Sequence, residues 1–229
     1  MIDEFSIIMP CEEDRVPLLL KTLGEYKRLG LPKKIEFIIV SRTIKEFAIP
    51  GYPIKLVTYD WEGEYFCPSK ALNLGVKNAQ YQNIIVTCPE VIPVTNVLQQ
   101  LCTQVRGNYM CKCQDEDASG KVFRDLISST FRCDPSMYFL ACFKKEDIEA
   151  INGWDEAFMG GYAFEDTDFG NRFLRAGLKF TMKDGIVGKH QFHPREQAGT
   201  KGWSKNSELQ RSNDANNVIR PIKGLEDLE

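Results

Sequence analysis

The stretch 83-NIIVTCPEVIPV-94 runs from an apolar segment directly into a cysteine, a proline and a carboxylate. The apolar run 84–86 is typical of a buried β-strand, and such a strand usually ends at Gly, Asn or Asp. Here it ends at 88-Cys-Pro-Glu-90 instead. Ligands of open α/β sheets bind outside the carboxyl ends of the strands. A carboxylate in this position therefore raises the question whether the strand ends in a binding site or only in a turn.

Strand and helix patterns alternate on the amino-terminal side of this stretch. Short apolar runs over 5–9, 35–40 and 54–59 predict strands. Apolar residues at helical spacing follow the first strand, with Asp14 as the expected cap, and a further helix is predicted from a Ser69 cap to about Ala79. Alternation of this kind predicts a mostly parallel sheet wrapped by helices.

The carboxyl-terminal half has a less regular pattern. Apolar runs over 109–113 and 138–143 predict strands, and 145–151 a short helix. A stronger helix is predicted from Glu165, with apolar residues at helical spacing as far as Gly177. The polar residues 201–229 are interpreted as a loosely packed C-terminal extension. We therefore expect one α/β domain over residues 1–200, followed by that extension.

Composition excludes several classes of protein. With 229 residues, 43% of them hydrophobic and 27% charged, the chain is typical of a globular protein with a substantial core. A net charge of -3 argues against a nucleic-acid partner, which requires a basic surface. No apolar run approaches the ~20 residues of a membrane span, and residues 1–10 lack a secretory signal. We expect a cytoplasmic protein, associated with a membrane only through another domain or partner; the oligomeric state is left open.

The eight cysteines raise the alternatives of disulfides or a zinc site. Several lie within or beside apolar runs, where a reduced cysteine behaves as a small hydrophobic residue; they are Cys88, Cys102, Cys111, Cys113 and Cys142. The spacing Cys-x-Cys at 111–113 differs from the Cys-x-x-Cys of most zinc sites. Free thiols are therefore favoured.

Three acidic residues crowd the first turn of the helix that begins near Glu165. Glu165, Asp166 and Asp168 follow the pair Gly160-Gly161 in "GGYAFEDTDFGNRFLRAG". Stabilisation by the helix macrodipole explains any one of them about as well as a catalytic role does. Neighbouring like charges also raise a carboxylate pKa, which suits a general base that abstracts a proton from a hydroxyl.

The two histidines of the chain, His190 and His193, lie three residues apart in "GKHQFHPRE". Flanked by basic residues, they are typical of a metal or phosphate site, although a strand or loop places only one of them reliably. The acidic run at 115–117 is better explained as a solvated turn than as a metal site. Glu90 has the better position for a hard ion such as Mn²⁺ or Mg²⁺.

Taken together, these stretches resemble the nucleotide-sugar glycosyltransferases of the GT-A fold over residues 5–195. "FSIIMPCEED" resembles the first strand and loop of the family 2 enzymes, and "FCPSKALNLGVKNA" resembles their N-x-G helix. "YFLACFKKEDIEAINGWDEAFMGGYAFEDTDFGNRFLRAGLKF" is similar to the carboxy-terminal motif of the family 7 galactosyltransferases. The resemblance implies a Rossmann-like α/β domain, with a nucleotide-sugar-binding half over 1–107 and an acceptor-side subdomain over 108–200.

The resemblance also answers the opening question. Glu90 stands where the family's D-x-D motif has its second, metal-binding Asp, and Cys88 stands where it has the first. His190 or His193 would be the late metal ligand, and Asp166 the catalytic base, with Glu165 positioning the acceptor hydroxyl. The residues implied for nucleotide-sugar binding are Pro10, Glu12, Ser41, Lys70, Asn73, Cys88 and Glu90. Those implied for acceptor binding are Trp154, Gly161 and Asp168.

The function implied is that of an inverting hexosyltransferase, as in polysaccharide biosynthesis. It would move a sugar from a UDP-sugar to a hydroxyl of a carbohydrate or glycoconjugate, assisted by Mn²⁺, with Mg²⁺ as the alternative ion. Because Cys88 replaces a charged ligand, a catalytically impaired module that binds nucleotide or carbohydrate is the main rival. A nucleotidyltransferase is disfavoured, since the loop "PCEEDRVP" is acidic where phosphate binding needs glycine and basic residues.

Overall fold

The computed structural model describes residues 2–63, 67–130, 139–194 and 200–228, and of residues 200 and 201 the backbone alone. Strands and helices alternate through the first part of the chain. In order, they are β1 (Glu4–Pro10), α1 (Val16–Leu29), β2 (Lys34–Ser41), β3 (Ile54–Thr58), α2 (Ser69–Asn78) and β4 (Asn83–Thr87). The remaining elements are β5 (Val91–Pro93), α3 (Val97–Cys102), β6 (Tyr109–Glu116), β7 (Val122–Ile127), β8 (Leu140–Lys144), α4 (Lys145–Ala150), α5 (Glu165–Arg175), β9 (Thr181–His190) and α6 (Thr200–Ala215).

The strands form one sheet in the order β3-β2-β1-β4-β8-β6-β9-β5, with β7 paired to β6. Strands β1 to β4 are mutually parallel, β8 is antiparallel to β4 and β6, and β9 is parallel to β6. The prediction of a mostly parallel sheet with flanking helices is therefore confirmed. The carboxyl ends of β1 to β4 share one edge, where the candidate site lies.

Alternating residues of the central strands bury opposite faces of the sheet. Ile7 belongs to the core under α1, whereas Ile8 belongs to the core under α2 and α5. Helix α2 approaches β1 closely because residue 75 is glycine: a Cβ there would collide with the side chain of Ile8. Phe169 and Phe173 of α5 pack edge-on against Phe143 of β8. These contacts fix both helices whose amino termini face the candidate site.

Two predicted helix caps are wrong. Asp14 lies in a short 3-10 helix, Glu13–Arg15, and α1 begins only at Val16. Ser69 is the first residue of α2 and makes no capping hydrogen bond. Its hydroxyl lies 3.4 Å from the thiol of Cys67 instead. A contact with a residue two positions earlier takes the place of the cap in this case.

Residues 200–228 are packed against the domain, so the prediction of a loose extension is wrong. Helix α6 contacts α5, and the segment after α6 returns to the turn at Asn152. Asn152 accepts a backbone hydrogen bond from Leu225 (3.0 Å) and donates its side-chain amide to the carbonyl of Pro221 (3.1 Å). Lys77 of α2 donates to the carbonyl of Leu228 at 2.6 Å. No helix within the described ranges combines the length and apolar character needed to cross a membrane.

Candidate active site

The backbone immediately before α5 is held in an unusual conformation. Ala163 and Phe164 both have left-handed φ angles, 61° and 71°, which non-glycine residues rarely adopt. Asn206 of α6 donates to the carbonyls of Phe158 (2.9 Å) and Ala163 (2.8 Å). The surrounding structure therefore imposes a strained turn that ends at Glu165, and strain of this kind is concentrated at functional sites.

The two predicted catalytic carboxyl groups occupy the first turn of α5. Glu165 is half-buried, and its Oε2 is enclosed without a hydrogen-bond partner in the described ranges. Burial, and then the charge of Asp166, raise the pKa of Glu165 to about 8. Asp166 accepts a hydrogen bond from the backbone of Thr167 at 2.7 Å. At neutral pH the pair can therefore offer both a protonated carboxyl and an acceptor oxygen.

Asp168 lies beneath this turn and is completely buried. Its carboxylate pairs with Arg172 at 2.6 Å and accepts from Asn213 at 2.8 Å. Arg172 also donates to the carbonyls of Ile151 (3.0 Å) and Gly153 (2.8 Å). The geometry gives Asp168 a structural part in holding α5, and its predicted contact with the acceptor stays a prediction.

Trp154 is also fully buried, stacked on Phe169 with 4.3 Å between ring centroids. Its backbone exchanges two hydrogen bonds of 2.8 Å with the side chain of Asn73 in α2. Asn73 donates further to Glu156 at 3.1 Å. In this structure both residues join α2 to the loop before α5, and their predicted ligand contacts are not tested by it.

Gly161 is required by the close approach of α6. A Cβ at this position would lie 2.6 Å from the carbonyl oxygen of Gly202, which accepts from the backbone of Tyr162 at 3.1 Å. The glycine therefore lets α6 reach the strained turn. Sequence analysis assigned it to the acceptor site, and the structure places it within one residue of an exposed aromatic side chain, Tyr162, on that side of the molecule.

A cleft of about 270 Å³ opens at the carboxyl ends of β2 and β3. Its lining includes Arg42, Tyr59 and Trp61. The Nε1 of Trp61 is enclosed and has no partner in the described part of the chain. Trp61 was not predicted as a site residue from the sequence, although an aromatic residue just beyond a predicted parallel strand could have indicated a ligand-binding position. The accessible part of such an aromatic face can stack on a planar base.

Glu12 organises the loop beside this cleft. Its carboxylate accepts from the hydroxyl of Thr43 at 2.7 Å and lies 3.2 Å from Nε of Arg42. Ser41, at the end of β2, uses its own hydroxyl to accept from the backbone of Thr43 (3.2 Å) and Ile44 (3.0 Å). The predicted residues Glu12 and Ser41 thus shape the loop that borders the cleft.

Pro10 and Lys70 border the same edge of the sheet. Pro10 is the half-buried last residue of β1. Lys70 is the second residue of α2. Burial raises the pKa of Glu156, and the nearby charge of Lys70 partly opposes that rise. Lys70 is therefore a cation at the amino end of α2, as sequence analysis expected, and its contact with a diphosphate stays a prediction.

Glu90 lies just beyond β4 and is 8% exposed. Its Oε1 is 3.3 Å from Nε of Arg15, a residue that sequence analysis did not select. Burial raises the pKa of Glu90, whereas His193 and Arg15 act to lower it. Burial, followed by the charge of Glu90, raises the pKa of the Cys88 thiol well above its usual range, so the thiol is neutral.

The two histidines adjoin Glu90 at the end of β9. The Nδ1 of His190 lies 3.2 Å from Oδ1 of Asp115, its register partner in β6. His193 has its Nδ1 2.9 Å from the carbonyl of Pro194, and the two imidazole centroids are 5.2 Å apart. Asp115 was interpreted as part of a solvated turn; it is in fact a buried strand residue, and the turn begins at Asp117.

One carboxylate and two imidazoles are ligands that Mn²⁺ accepts. As placed, however, Arg15 pairs with Glu90, and Asp115 holds the ring of His190. Across the described ranges, no three His, Cys, Asp or Glu side chains are grouped so that they could hold a metal ion. The donors in this arrangement therefore do not fit a metal.

Electrostatic neighbours show that the cleft, Glu90 and the acid pair lie next to one another. Burial raises the pKa of Cys11, and both Glu90 and Glu12 add to that rise. Burial likewise raises the pKa of Tyr59, with further contributions from Glu12 and Cys67. The pKa of Cys67 is raised by burial and then by the two acids of α5. A series of electrostatic neighbours therefore links Glu90 and Glu12 to Tyr59, and Tyr59 through Cys67 to the acid pair of α5.

The sheet order, together with this region at the carboxyl ends of its strands, defines the GT-A class of glycosyltransferase fold. The structure of TarS from S. aureus in complex with UDP superposes with a TM-score of 0.69, at 12% identity over 93% of this chain and 66% of that one. TarS in complex with UDP-GlcNAc gives a TM-score of 0.68 at 11% identity, covering 84% of this chain and 60% of that one. The chain spans between 40% and 66% of the lengths of the TarS structures that it matches.

A second set of similar structures comes from Drosophila beta1,4-galactosyltransferase 7. A mutant of it, in complex with manganese, UDP-Gal and xylobiose, matches with a TM-score of 0.64 at 16% identity, over 100% of this chain and 85% of that one. Residues 139–194 match the family model described as the N-terminal domain of galactosyltransferase. That match covers β8 to β9 and includes the acid pair. A search of curated proteins returns no match.

Proposed function

We propose that this protein transfers a hexose from a UDP-sugar to a hydroxyl of a carbohydrate or glycoconjugate, with inversion at the anomeric carbon. The observation that carries the proposal is the acid pair Glu165–Asp166, presented by a strained turn beside the cleft that contains Trp61. Residues 1–107 would supply the donor site, and 108–200 most of the acceptor site. A role in polysaccharide biosynthesis belongs to the same proposal.

The reaction is a single in-line displacement. Asp166 accepts the proton of the acceptor hydroxyl as its oxygen forms a bond to the anomeric carbon, and the bond from that carbon to the diphosphate oxygen breaks. UDP leaves with the bonding electrons. Glu165, protonated at neutral pH, donates a hydrogen bond that orients the acceptor. Preorganised groups of this kind lower the barrier by holding the reactants in line.

Charge on the departing diphosphate needs a cation. Arg15, the last residue of the short 3-10 helix, lies 3.3 Å from Glu90 just beyond β4, and it would supply positive charge there once a diphosphate competes with Glu90 for it. Assistance by a divalent ion, Mn²⁺ before Mg²⁺, is the expectation that accompanies the similarity to a manganese-containing complex. If an ion is used, Glu90, His190 and His193 are the residues proposed to hold it, after rearrangement from the positions described.

Calorimetry with UDP, alone and with Mn²⁺, tests the donor site. We expect UDP to bind, and Glu90→Ala to abolish any gain in affinity that Mn²⁺ provides. Glu25→Ala, which removes an acid of α1 that pairs with Arg28 at the surface and does not line the cleft that contains Trp61, serves as the control. Failure of the wild-type protein to bind UDP with or without Mn²⁺ would overturn the proposed function.

Cys88 favours one second candidate, a module that binds nucleotide or carbohydrate without turnover. A neutral thiol where similar enzymes have a carboxylate removes one acceptor from the donor site. Release of UDP from a panel of UDP-sugars separates the two functions. Hydrolysis or transfer that disappears in Asp166→Asn, with UDP binding retained, supports the enzyme; binding without turnover in the wild type supports the module.

A further inference from the structure

A second cleft, of about 360 Å³, is lined by both histidines and by the β6–β7 hairpin, and Glu90 is not part of its lining. Its lining includes Glu116, Asp117, Phe123 and Phe192, besides His190 and His193. None of the roles described above uses Phe123, Phe192 or the hairpin. The cleft therefore needs an explanation of its own, which the character of its lining provides.

Two exposed aromatic rings distinguish this cleft. Phe123 of β7 is 55% exposed, and Phe192, two residues beyond the end of β9, is 49% exposed. The guanidinium of Arg124 lies 5.1 Å from the ring centroid of Phe123, and the same side chain donates to Asp115 at 2.6 Å. Arg124 therefore links the ring of Phe123 to the buried carboxylate of Asp115. Exposed aromatic surface in a concave site marks ligand binding.

The charge of the lining restricts the ligand. Arg124 is engaged by Asp115, and Lys189 pairs with Glu116, so the neighbouring cations are already matched by carboxylates. Asp117 adds a further negative charge at the rim. With these pairs formed, the described part of the lining offers an anionic ligand no unmatched lysine or arginine, whereas sugar hydroxyls could donate to the carboxylate oxygens. Flat aromatic rings beside carboxylates suit a sugar ring, which presents C–H groups on its faces and hydroxyls at its edge.

We propose that this cleft is an acceptor subsite that binds a sugar ring of a neutral glycan, beyond the ring whose hydroxyl reacts. The inference rests on the proposed function, because an acceptor subsite has a role only if the protein transfers a sugar to a glycan. The cleft shares His190 and His193 with the proposed donor site, so an acceptor bound there would lie next to the donor. It also narrows the substrate class: the acceptor is a neutral oligosaccharide or its conjugate, and not a phosphodiester polymer or a sialylated chain.

The test uses the full chain on an array that carries neutral oligosaccharides, sialylated glycans and polyglycerol phosphate. The variants are Phe123→Ala and Phe192→Ala. Because the two residues lie in different segments of the chain, one variant still tests the proposal if the other does not fold. Leu20→Ala removes a similarly exposed apolar side chain (48%) from α1 and serves as the matched control. Thermal unfolding checks each variant, and UDP affinity is measured in parallel.

We expect the wild-type protein to bind neutral glycans of two or more rings, and each Phe variant to lose at least about fivefold in affinity. Leu20→Ala should bind as the wild type does, and UDP affinity should be unchanged in all variants. Preference for the sialylated or phosphodiester ligands, absence of glycan binding, or Phe variants that bind normally would each overturn the subsite. Failure of the wild-type protein to bind UDP would instead count against the proposed function. The glycan measurements would then still show whether the cleft binds a sugar.

Discussion

Asn73 of α2 and the backbone of Trp154 exchange two hydrogen bonds, each 2.8 Å long, between residues 81 positions apart in the chain. This pair closes the gap between the amino-terminal sheet and the loop that leads to α5. Because both partners are buried, the bonds are shielded from water and fix the distance between the two halves of the candidate site. The N-x-G pattern of the sequence is explained by this pair together with Gly75 against Ile8.

Replacement of Asn73 by alanine should destabilise the protein by about 2–4 kcal/mol, because it leaves the buried N–H and C=O of Trp154 without partners. Urea unfolding measures the change. Asn78→Ala, at the exposed end of the same helix, is the control and should cost less than about 1 kcal/mol. If both variants lost the same free energy of unfolding, the hydrogen bonds between Asn73 and Trp154 would not be a particular source of stability.

Replacement of Asp166 by asparagine should lower the turnover rate by about 10²–10⁴-fold, the usual contribution of a general base. UDP affinity should stay the same, since the side chain acts on the acceptor. Steady-state kinetics with a UDP-sugar and calorimetry with UDP give the two values. Asp184→Asn, an exposed acid on β9, is the control; if it lost as much activity, the assignment of the base would be wrong.

The raised pKa of Glu165 predicts a pH dependence of stability. The carboxyl titrates near its ordinary value of 4.5 when unfolded and at about 8 when folded, so the folded state binds more protons between these values. Stability should therefore fall as pH rises from about 4.5 to about 8. Melting temperatures across this range should fall less steeply in Glu165→Gln; identical slopes in variant and wild type would refute the shift.

Breaking the ion pair of Asp168 and Arg172 should be costly, because both side chains are fully buried. Asp168→Asn should cost about 3–5 kcal/mol by leaving the guanidinium without its counter-charge. Glu226→Gln breaks the exposed pair with Arg220 and should change stability by less than about 1 kcal/mol. Urea unfolding of both variants checks the difference; a small effect for Asp168→Asn would mean that Asn213 and the carbonyls suffice to hold Arg172.

Trp61 is expected to form one wall of the base-binding cleft. Trp61→Ala should weaken UDP binding by about 1–3 kcal/mol, the range measured for base–aromatic stacking. Trp61→Phe keeps an aromatic face and should recover part of the loss, which separates stacking on the base from a general disturbance of the cleft. Calorimetry with UDP gives both values. Unchanged affinity in Trp61→Ala would move the base to another site.

The fold could be predicted from the sequence because periodicity reports which side of each element is buried. Apolar runs at 35–40 and 84–86, with helical spacing between strands, lead directly to the parallel sheet. The acid pair at 165–166 was also predictable, since it follows a glycine pair at a helix start. The enclosure of the Glu165 carboxyl was less predictable, because burial depends on tertiary packing around the first turn of α5 that no local pattern reports.

Other features depend on contacts between distant segments and left no local signal. Arg15 reaches Glu90 across 75 positions, and Asp115 became a strand residue because β9 and β7 pair on either side of it. The polar composition of 201–228 indicated solvent exposure, yet one face of α6 supplies Asn206 and Asn213 to buried partners. Polar side chains that satisfy buried groups are indistinguishable in sequence from those that face water.

The two hydrogen bonds that Asn206 donates to the carbonyls of Phe158 and Ala163 have a consequence for synthesis on the ribosome. The turn that presents Glu165 and Asp166 cannot be completed until residue 206 has left the exit tunnel, some forty residues after the acids themselves. A nascent chain would therefore have formed its sheet, β9 included, before the turn that carries the two acids is ordered. Any reaction that depends on these acids would begin only after α6 has been synthesised.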